Sequence, residues 1–195
     1  MAVIDPLVIS SGDVEILIRP ARPEDAAALN EFNRSVREHR DGRSADPETS
    51  NATMAAALGD ITSDPQRLRL LAMHANTIVG AIDFVSPSKL RTRHRGRLGL
   101  AVAAAWRGRG IGTSLIRAVI GWAGSHPYLR KIRLSVPAEN TLAFGLYRRL
   151  GFIVEGTRRG EILCPDGNYD DEIQMCLWVK PGPDAVESDP ASGKK

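Results

Sequence analysis

Apolar and polar positions alternate along this 195-residue chain with two different periods, and the change of period separates strands from helices. Alternation with a period of two, which is typical of strands with one buried face, recurs in seven segments. The predicted strands cover residues 14–21, 67–74, 78–85, 97–102, 131–136, 152–164 and 169–180. Short polar turns at 75–77 and 165–168 join two pairs of these strands and predict hairpins.

Apolar residues spaced three or four apart, together with end signals, predict four helices. The first carries Pro23 and two acids at its start and basic residues at its end, an order that suits the helix dipole. The last is closed by Gly151, a residue type common just past a helix end. The predicted helices cover residues 22–39, 50–60, 111–124 and 139–152.

The order of these elements predicts one α/β domain with α+β layering. A mixed, largely antiparallel central sheet of about seven strands is expected to be flanked by about four helices. We place this domain at residues 14–180. Residues 1–13 form an N-terminal arm, which is either an extra strand or a loose segment, and residues 181–195 have so little to bury that a disordered tail is expected.

Composition narrows the class of protein. The chain is 43% hydrophobic and 25% charged, which is ordinary for a globular domain, and a net charge of +3 is too small to indicate a nucleic-acid partner. No apolar run approaches the roughly 18 residues that span a bilayer, and the N-terminus lacks the pattern of a signal peptide. Neither Cys164 nor Cys176 has a neighbour at metal-ligand spacing. We therefore expect a cytoplasmic protein that binds no metal and no membrane.

The stretch WRGRGIG, residues 106–112 and here called the glycine turn, lies between a predicted strand and a predicted helix. Unpaired N–H groups at a helix start favour anions, and glycines let a phosphate approach them closely. Arg107 and Arg109 add positive charge. The spacing fits neither a dinucleotide-binding nor a Walker motif. The turn is interpreted as a pyrophosphate cradle, with a purely structural helix start as the alternative.

A second motif lies on the helix predicted at 139–152. Asn140, Ala143 and Tyr147 are spaced so that they share one helix face, and Leu-Gly-Phe follows at 150–152. A core tyrosine packed on the sheet is the alternative interpretation of Tyr147.

With both motifs present in this order, the chain resembles the GNAT superfamily of acetyl-CoA-dependent N-acetyltransferases. Their first motif reads Arg/Gln-x-x-Gly-x-Gly/Ala, matched here by Arg107, Gly110 and Gly112. Their second is the Asn-x-x-Ala-x-x-x-Tyr helix that ends in Gly-Phe. The order of elements matches the family fold from about residue 14 to 180.

The resemblance implies a set of site residues for acetyl-CoA. Main-chain groups of the strand before the turn would hold the pantetheine arm, amides of the turn would bind the pyrophosphate, and Asn140 would bond the cofactor arm. Tyr147 would protonate the departing thiolate as the general acid. The implied cofactor-binding residues are Leu100, Ala101, Val102, Arg107, Gly108, Arg109, Gly110, Ile111, Gly112, Thr113 and Asn140.

The general base is left open by the sequence. Some members of the superfamily carry a glutamate five residues before the motif asparagine, and here that position is Ser135. His94, Asp83, Glu139 and an ordered water are the candidate substitutes. The arginine run at 91–97 is interpreted mainly as a solvated face, with attraction of an acidic substrate group or of coenzyme A phosphates as alternatives.

A small primary amine, an amino acid in first place, is the expected acceptor. Acetylation of a protein N-terminus or lysine is an alternative, and so is a non-catalytic module that senses acetyl-CoA. Binding of nucleic acid is the weakest alternative, because the net charge is low. The resemblance also implies a homodimer contact through the final hairpin.

Overall fold

The computed structural model describes residues 4–40 and 49–182. Most of the turn-rich segment predicted after the first helix, residues 41–48, lies outside the described residues. The same holds for residues 183–195 of the predicted tail.

In these described ranges eight strands form one sheet in the order β1-β2-β3-β4-β5-β6-β8-β7. The strands are β1 (Leu7–Ser11), β2 (Val14–Pro20), β3 (Arg67–His74), β4 (Thr77–Val85), β5 (Arg95–Val102), β6 (Lys131–Pro137), β7 (Ile153–Leu163) and β8 (Tyr169–Trp178). The additional strand is β1, which lies in the predicted arm and pairs antiparallel with β2. Among the described strands only β5 and β6 pair in parallel, so the predicted mixed and largely antiparallel sheet is confirmed.

The four predicted helices are present in the described part of the chain, with shifted ends. They are α1 (Ala26–Arg40), α2 (Asn51–Ser63), α3 (Ile111–Ser125) and α4 (Thr141–Arg149). The first predicted helix starts with a separate 3-10 turn at Pro23–Asp25, because its proline and acids favour a tight first turn. Helix α2 continues beyond the predicted end at residue 60, since nothing between 61 and 63 stops it. Gly151 (φ +89°) follows α4 as predicted.

Apolar side chains pack on both faces of the sheet. On one face, here called the α3 face, buried residues of α3 such as Ile111 and Leu115 pack on the strands. On the other, the α1–α2 face, Leu29 of α1 and Leu58 of α2 pack against β3 and β4. Alternate residues of each central strand therefore belong to different cores, and this alternation decides which side chains can share a site.

Candidate active site

Strands β5 and β6 are neighbours, but they pair over only three residues. The pairs are Arg95 with Lys131, Gly96 with Ile132 and Arg97 with Arg133. Beyond them β5 continues to pair with β4, and β6 continues to pair with β8. The two strands therefore diverge toward their carboxyl ends and leave a gap, here called the strand gap, between residues 98–102 and 134–137. Ligands of open α/β sheets commonly bind at the carboxyl ends of parallel strands.

The glycine turn lies at the carboxyl end of β5 and leads into α3. Gly108 (φ +74°) and Gly110 (φ +79°) both have left-handed backbone, which residues with a Cβ rarely adopt. Gly110 is the N-cap of α3 and supplies no side-chain cap. The N–H groups of Ile111, Gly112 and Thr113 therefore have no acceptor within the helix. A Cβ on either left-handed glycine would meet no described atom within 4 Å, so the turn is open to a ligand.

Three contacts fix the position of the glycine turn. Arg107 Nε donates a hydrogen bond of 3.2 Å to the carbonyl of Val102. The guanidinium carbon of Arg109 lies 5.0 Å from the centre of the Trp106 ring. The buried hydroxyl of Ser11 donates a hydrogen bond of 3.0 Å to the carbonyl of Arg109. The predicted N-terminal arm is thus attached directly to the turn, which the sequence did not indicate.

Gly112 lies where β5, α3 and α4 meet. A Cβ at this residue would lie 3.4 Å from Cδ2 of both Leu100 and Leu146 and 3.8 Å from Cγ2 of Val102. The glycine therefore lets the first turn of α3 lie close to the second half of β5. The side chain of Ile111 is buried in the core, so only its main chain can face a ligand.

Ala101 lies on the same half of β5 but has its side chain on the opposite face. It packs with the core of the α1–α2 face, whereas Leu100 and Val102 pack with the core of the α3 face. The three predicted residues of β5 thus border the strand gap through their main chain, and their side chains divide between the two cores.

Asn140 is the N-cap of α4. Its Oδ1 accepts a hydrogen bond of 3.1 Å from the N–H of Ala143. This cap explains why Asn140 and Ala143 are three residues apart, and the explanation needs no ligand. An asparagine side chain that accepts from the N–H of the third residue after it is a standard helix cap. Since α4 follows β6 as α3 follows β5, exposed Asn140 lies at the same edge of the sheet as the glycine turn.

Tyr147 lies near the end of α4 and is 7% exposed. Its ring centre is 5.8 Å from that of Phe152, with the planes tilted by 59°, and it belongs to the same apolar cluster as Ile111 of α3. The tyrosine therefore packs as a core residue between the second motif helix and the sheet. Its role as general acid stays a prediction.

The candidate bases lie in different places. Asp83 of β4 pairs across from Gly99 of β5, which puts it near the strand gap on the α1–α2 face. Its carboxylate is held by an ion pair with Arg69 and is 42% exposed. His94 precedes β5 at its amino end, the end opposite to the glycine turn. Glu139 is exposed and adjoins the cap of α4. Asp83 is therefore the best placed of the three.

A cavity of about 360 Å³, here called the basic cavity, lies beside the strand gap. Arg97 and Ser135 line it, and alternation along β5 puts Arg97 on the same side as Ala101, the α1–α2 face. Glu172 of β8 also lines the cavity. It pairs across from Pro137 and lies two residues along β8 from the residue that pairs with Ser135. The charged residues lining it are Arg95, Arg97, Arg133, Arg158, Glu161 and Glu172. Sequence reasoning missed Arg133, Arg158 and Glu172, since nothing in their spacing signals that separate strands bring them together.

Some of these charges are neutralised within the protein. Arg158 lies 3.0 Å from Glu161 and 3.5 Å from Glu172. Arg133 lies 3.5 Å from Glu155, which also pairs with Lys131. Burial alone would raise the pKa of Glu155, but the hydrogen bond and charge of Lys131 and the charge of Arg133 hold that pKa below its ordinary value. Glu155 is therefore a carboxylate near neutral pH.

Within residues 4–40 and 49–182, no group of three or more histidine, cysteine or acidic side chains is arranged to hold a metal ion. No helix in these ranges is both long enough and apolar enough to cross a membrane.

The fold has close relatives among solved structures. A GNAT-family acetyltransferase from Streptococcus pneumoniae superimposes with a TM-score of 0.80 at 29% identity, over 84% of this chain and 99% of that one. YncA of Salmonella typhimurium, solved with its cofactor acetyl-CoA, superimposes with a TM-score of 0.74 at 20% identity, over 86% of this chain and 96% of that one. The second likeness concerns the fold alone.

Sequence comparison extends the likeness. The L-amino acid N-acetyltransferase AaaT of Escherichia coli is 26% identical over 161 residues, which cover 83% of this chain and 96% of AaaT. The family model of the acetyltransferase (GNAT) family matches residues 30–152, a range that includes the strand gap, the glycine turn and α4. The chain belongs to the acetyltransferase (GNAT) family.

Proposed function

We propose that this protein is an acetyl-CoA-dependent N-acetyltransferase whose acceptor is a small primary amine, an amino acid in first place. The observation that carries the proposal is the juxtaposition of the strand gap with the open glycine turn. Within the described part of the chain, the three-residue pairing of β5 with β6 leaves main-chain groups of Leu100 to Val102 without a partner strand on one side. The same divergence puts the N-terminus of α3 at the mouth of the gap.

The residues present fit acetyl-CoA. The extended pantetheine arm has amide groups that suit the unpaired main chain of β5, as in addition of a strand to a sheet edge. The N–H groups from Gly108 to Thr113 suit the pyrophosphate, since they lie at the positive end of the dipole of α3. Exposed Arg109 adds charge beside them. Asn140 would use its amide nitrogen toward the cofactor arm, because its Oδ1 caps α4.

When bound, acetyl-CoA supplies an acetyl thioester whose carbonyl carbon accepts the lone pair of a neutral amine. A C–N bond forms, the C–S bond breaks, and the sulfur gains a proton. The nitrogen gives its proton to a base, for which Asp83 and an ordered water are the candidates. Tyr147 is proposed to give the sulfur its proton, a role worth about 10² to 10⁴ in rate. Holding the amine beside the thioester supplies a further share of the acceleration.

A small acceptor is favoured by the size of the basic cavity. A volume of about 360 Å³ lies at the lower end of the range for small-molecule sites, which begins at roughly 300 Å³. AaaT, which matches most of this chain, is named for acetylation of L-amino acids.

The test is isothermal titration of acetyl-CoA into the wild-type protein and two variants at the N-cap of α3. Asparagine and aspartate both tolerate left-handed backbone and differ in charge, so Gly110→Asn and Gly110→Asp separate strain from electrostatics. We expect binding by wild type, a modest loss in Gly110→Asn and a loss at least tenfold larger in Gly110→Asp. Absence of acetyl-CoA binding by the wild-type protein would refute the proposal.

Release of thiol from acetyl-CoA in the presence of amino acids distinguishes an enzyme from a sensor. An enzyme releases thiol in proportion to the acceptor. A sensor module would bind acetyl-CoA with the same charge dependence and release no thiol with any amine. Preference for a peptide N-terminus over free amino acids would favour a protein acceptor.

A further inference from the structure

The charged side chains that line the basic cavity have a net positive charge. Four arginines and two glutamates line it, which leaves an excess of two positive charges. The excess comes from two of the four arginines. Arg158 has two glutamate partners, whereas Arg95 and Arg97 form no ion pair with any acidic side chain in the described ranges.

The uncompensated arginines lie away from the phosphate-binding end of the site. Arg97 is five residues from Val102 along β5, about 16 Å at the rise of an extended strand. Arg97 also lies on the α1–α2 face, whereas α3, whose N-terminal amides would bind the pyrophosphate, packs on the α3 face. The sheet therefore separates Arg97 from the pyrophosphate, which leaves an acidic substrate group or solvent as the partner of these guanidinium groups.

The charges of the cavity are also arranged to suit a bound amine, with a carboxylate beside the strand gap and arginines at the opposite end. Glu172 pairs across from Pro137, at the carboxyl end of β6 beside the strand gap. Arg97 pairs with Arg133 at the opposite end, where β5 and β6 are still joined. An acceptor with its nitrogen toward the strand gap thus has its remaining groups beside arginines.

Resting on the proposed function, we infer that the acceptor is an amine that carries two anionic groups, of the class of dicarboxylic amino acids. In the reacting form, with a neutral amine, such a molecule has two negative charges, equal to the excess of the cavity. Arg95 and Arg97 bind the carboxylates, which suit the planar guanidinium fork. A polyamine meets like charges here and is rejected.

The experiment measures thiol release from acetyl-CoA with L-glutamate, L-aspartate, L-glutamine and spermidine as acceptors. L-Glutamate and L-glutamine have nearly the same shape and differ by one charge. We expect kcat/KM at least tenfold higher for the better dicarboxylic acceptor than for L-glutamine, and no measurable turnover of spermidine. Equal or better turnover of L-glutamine or spermidine would overturn the inference while leaving the proposed function standing.

Variants of single arginines test which of them bind the carboxylates of the acceptor. The α-carboxylate lies next to the nitrogen, so Arg97, the arginine nearer the strand gap, binds it, and Arg95 binds the side-chain carboxylate. Arg95→Gln is expected to lower kcat/KM for the dicarboxylic acceptor about 10- to 100-fold and to leave the value for L-glutamine within about threefold. Arg97→Gln, the second variant, should lower both values, and Arg91→Gln, an exposed arginine outside the cavity, serves as the matched control. All three variants should keep the wild-type Kd for acetyl-CoA. An equal loss for L-glutamate and L-glutamine in Arg95→Gln would overturn the inference, and failure of the wild type to bind acetyl-CoA would overturn the proposed function with it.

Discussion

The hydroxyl of Ser11 donates a hydrogen bond of 3.0 Å to the carbonyl of Arg109, and so joins residues 98 positions apart. Ser11 ends β1 and is 5% exposed, while Arg109 lies in the exposed glycine turn. An edge strand therefore holds the loop whose amides are proposed to bind the pyrophosphate. We expect this contact to preorganise the proposed site.

Loss of this bond should weaken both the fold and cofactor binding. Ser11→Ala is expected to lower the free energy of unfolding by about 1 kcal/mol, the usual net value of such a hydrogen bond. Since binding then has to order the turn, the Kd for acetyl-CoA should rise up to about fivefold. Calorimetric titration and urea unfolding measure the two effects. Ser10→Ala, exposed on the same strand, should change neither, and an unchanged Kd in Ser11→Ala would contradict the preorganising role.

The sequence predicted the order of elements well because alternation and helical spacing are local properties of the chain. Seven of the eight strands and all four helices follow from them. Strand β1 was left open, since Leu7 and Val8 are largely exposed and its pattern is weak. Its place is decided by pairing with β2 and by the contact of Ser11, neither of which a local pattern contains.

The site was less predictable from sequence. The glycine turn could be identified because left-handed backbone demands glycine at Gly108 and Gly110. Asn140 was predicted to contact the cofactor, but in the structure its Oδ1 caps α4. Asparagine suits both roles, so the residue type alone does not distinguish them. The basic cavity could not be predicted at all, because it depends on where β5 and β6 stop pairing.

A matched pair of glycines on β5 tests the packing beneath the basic cavity. A Cβ at Gly96 would lie 2.0 Å from Cζ of Phe84, whereas a Cβ at Gly99 would meet no described atom within 4 Å. Gly96→Ala should therefore lower the free energy of unfolding by about 1–3 kcal/mol, as overpacking does. Gly99→Ala should be neutral or stabilise by up to about 1 kcal/mol. Urea unfolding compares them, and equal effects would refute this account of Gly96.

Replacement of Tyr147 by phenylalanine tests the predicted general acid. The ring packing against Phe152 is retained, so the fold and the Kd for acetyl-CoA should change little. Turnover should fall by about 10² or more if the hydroxyl protonates the sulfur. Steady-state thiol release measures it, with Tyr169→Phe, 70% exposed on β8, as the control. Undiminished turnover would leave Tyr147 as a core tyrosine.

The lowered pKa of His126 predicts how the stability of the protein depends on pH. The residue is 6% exposed, Nε2 lies 3.0 Å from the carbonyl of Pro65, and Nδ1 accepts from the N–H of Tyr128. Burial lowers the pKa of His126 below its ordinary value of 6.5; the Pro65 carbonyl opposes this shift and the charge of Lys180 adds to it. The folded protein thus holds the imidazole neutral under conditions where the unfolded chain protonates it.

The sign of the effect follows from proton linkage. Below about pH 6.5 the unfolded state binds more protons at this residue than the folded state, so stability falls as the pH is lowered through that value toward the folded pKa. Above it the contribution is fully present. Thermal unfolding between pH 7.5 and 5 should show the midpoint decreasing on acidification, with a shallower decrease in His126→Gln than in wild type or in the loop variant His94→Gln. The same slope in all three proteins would show that His126 does not cause it.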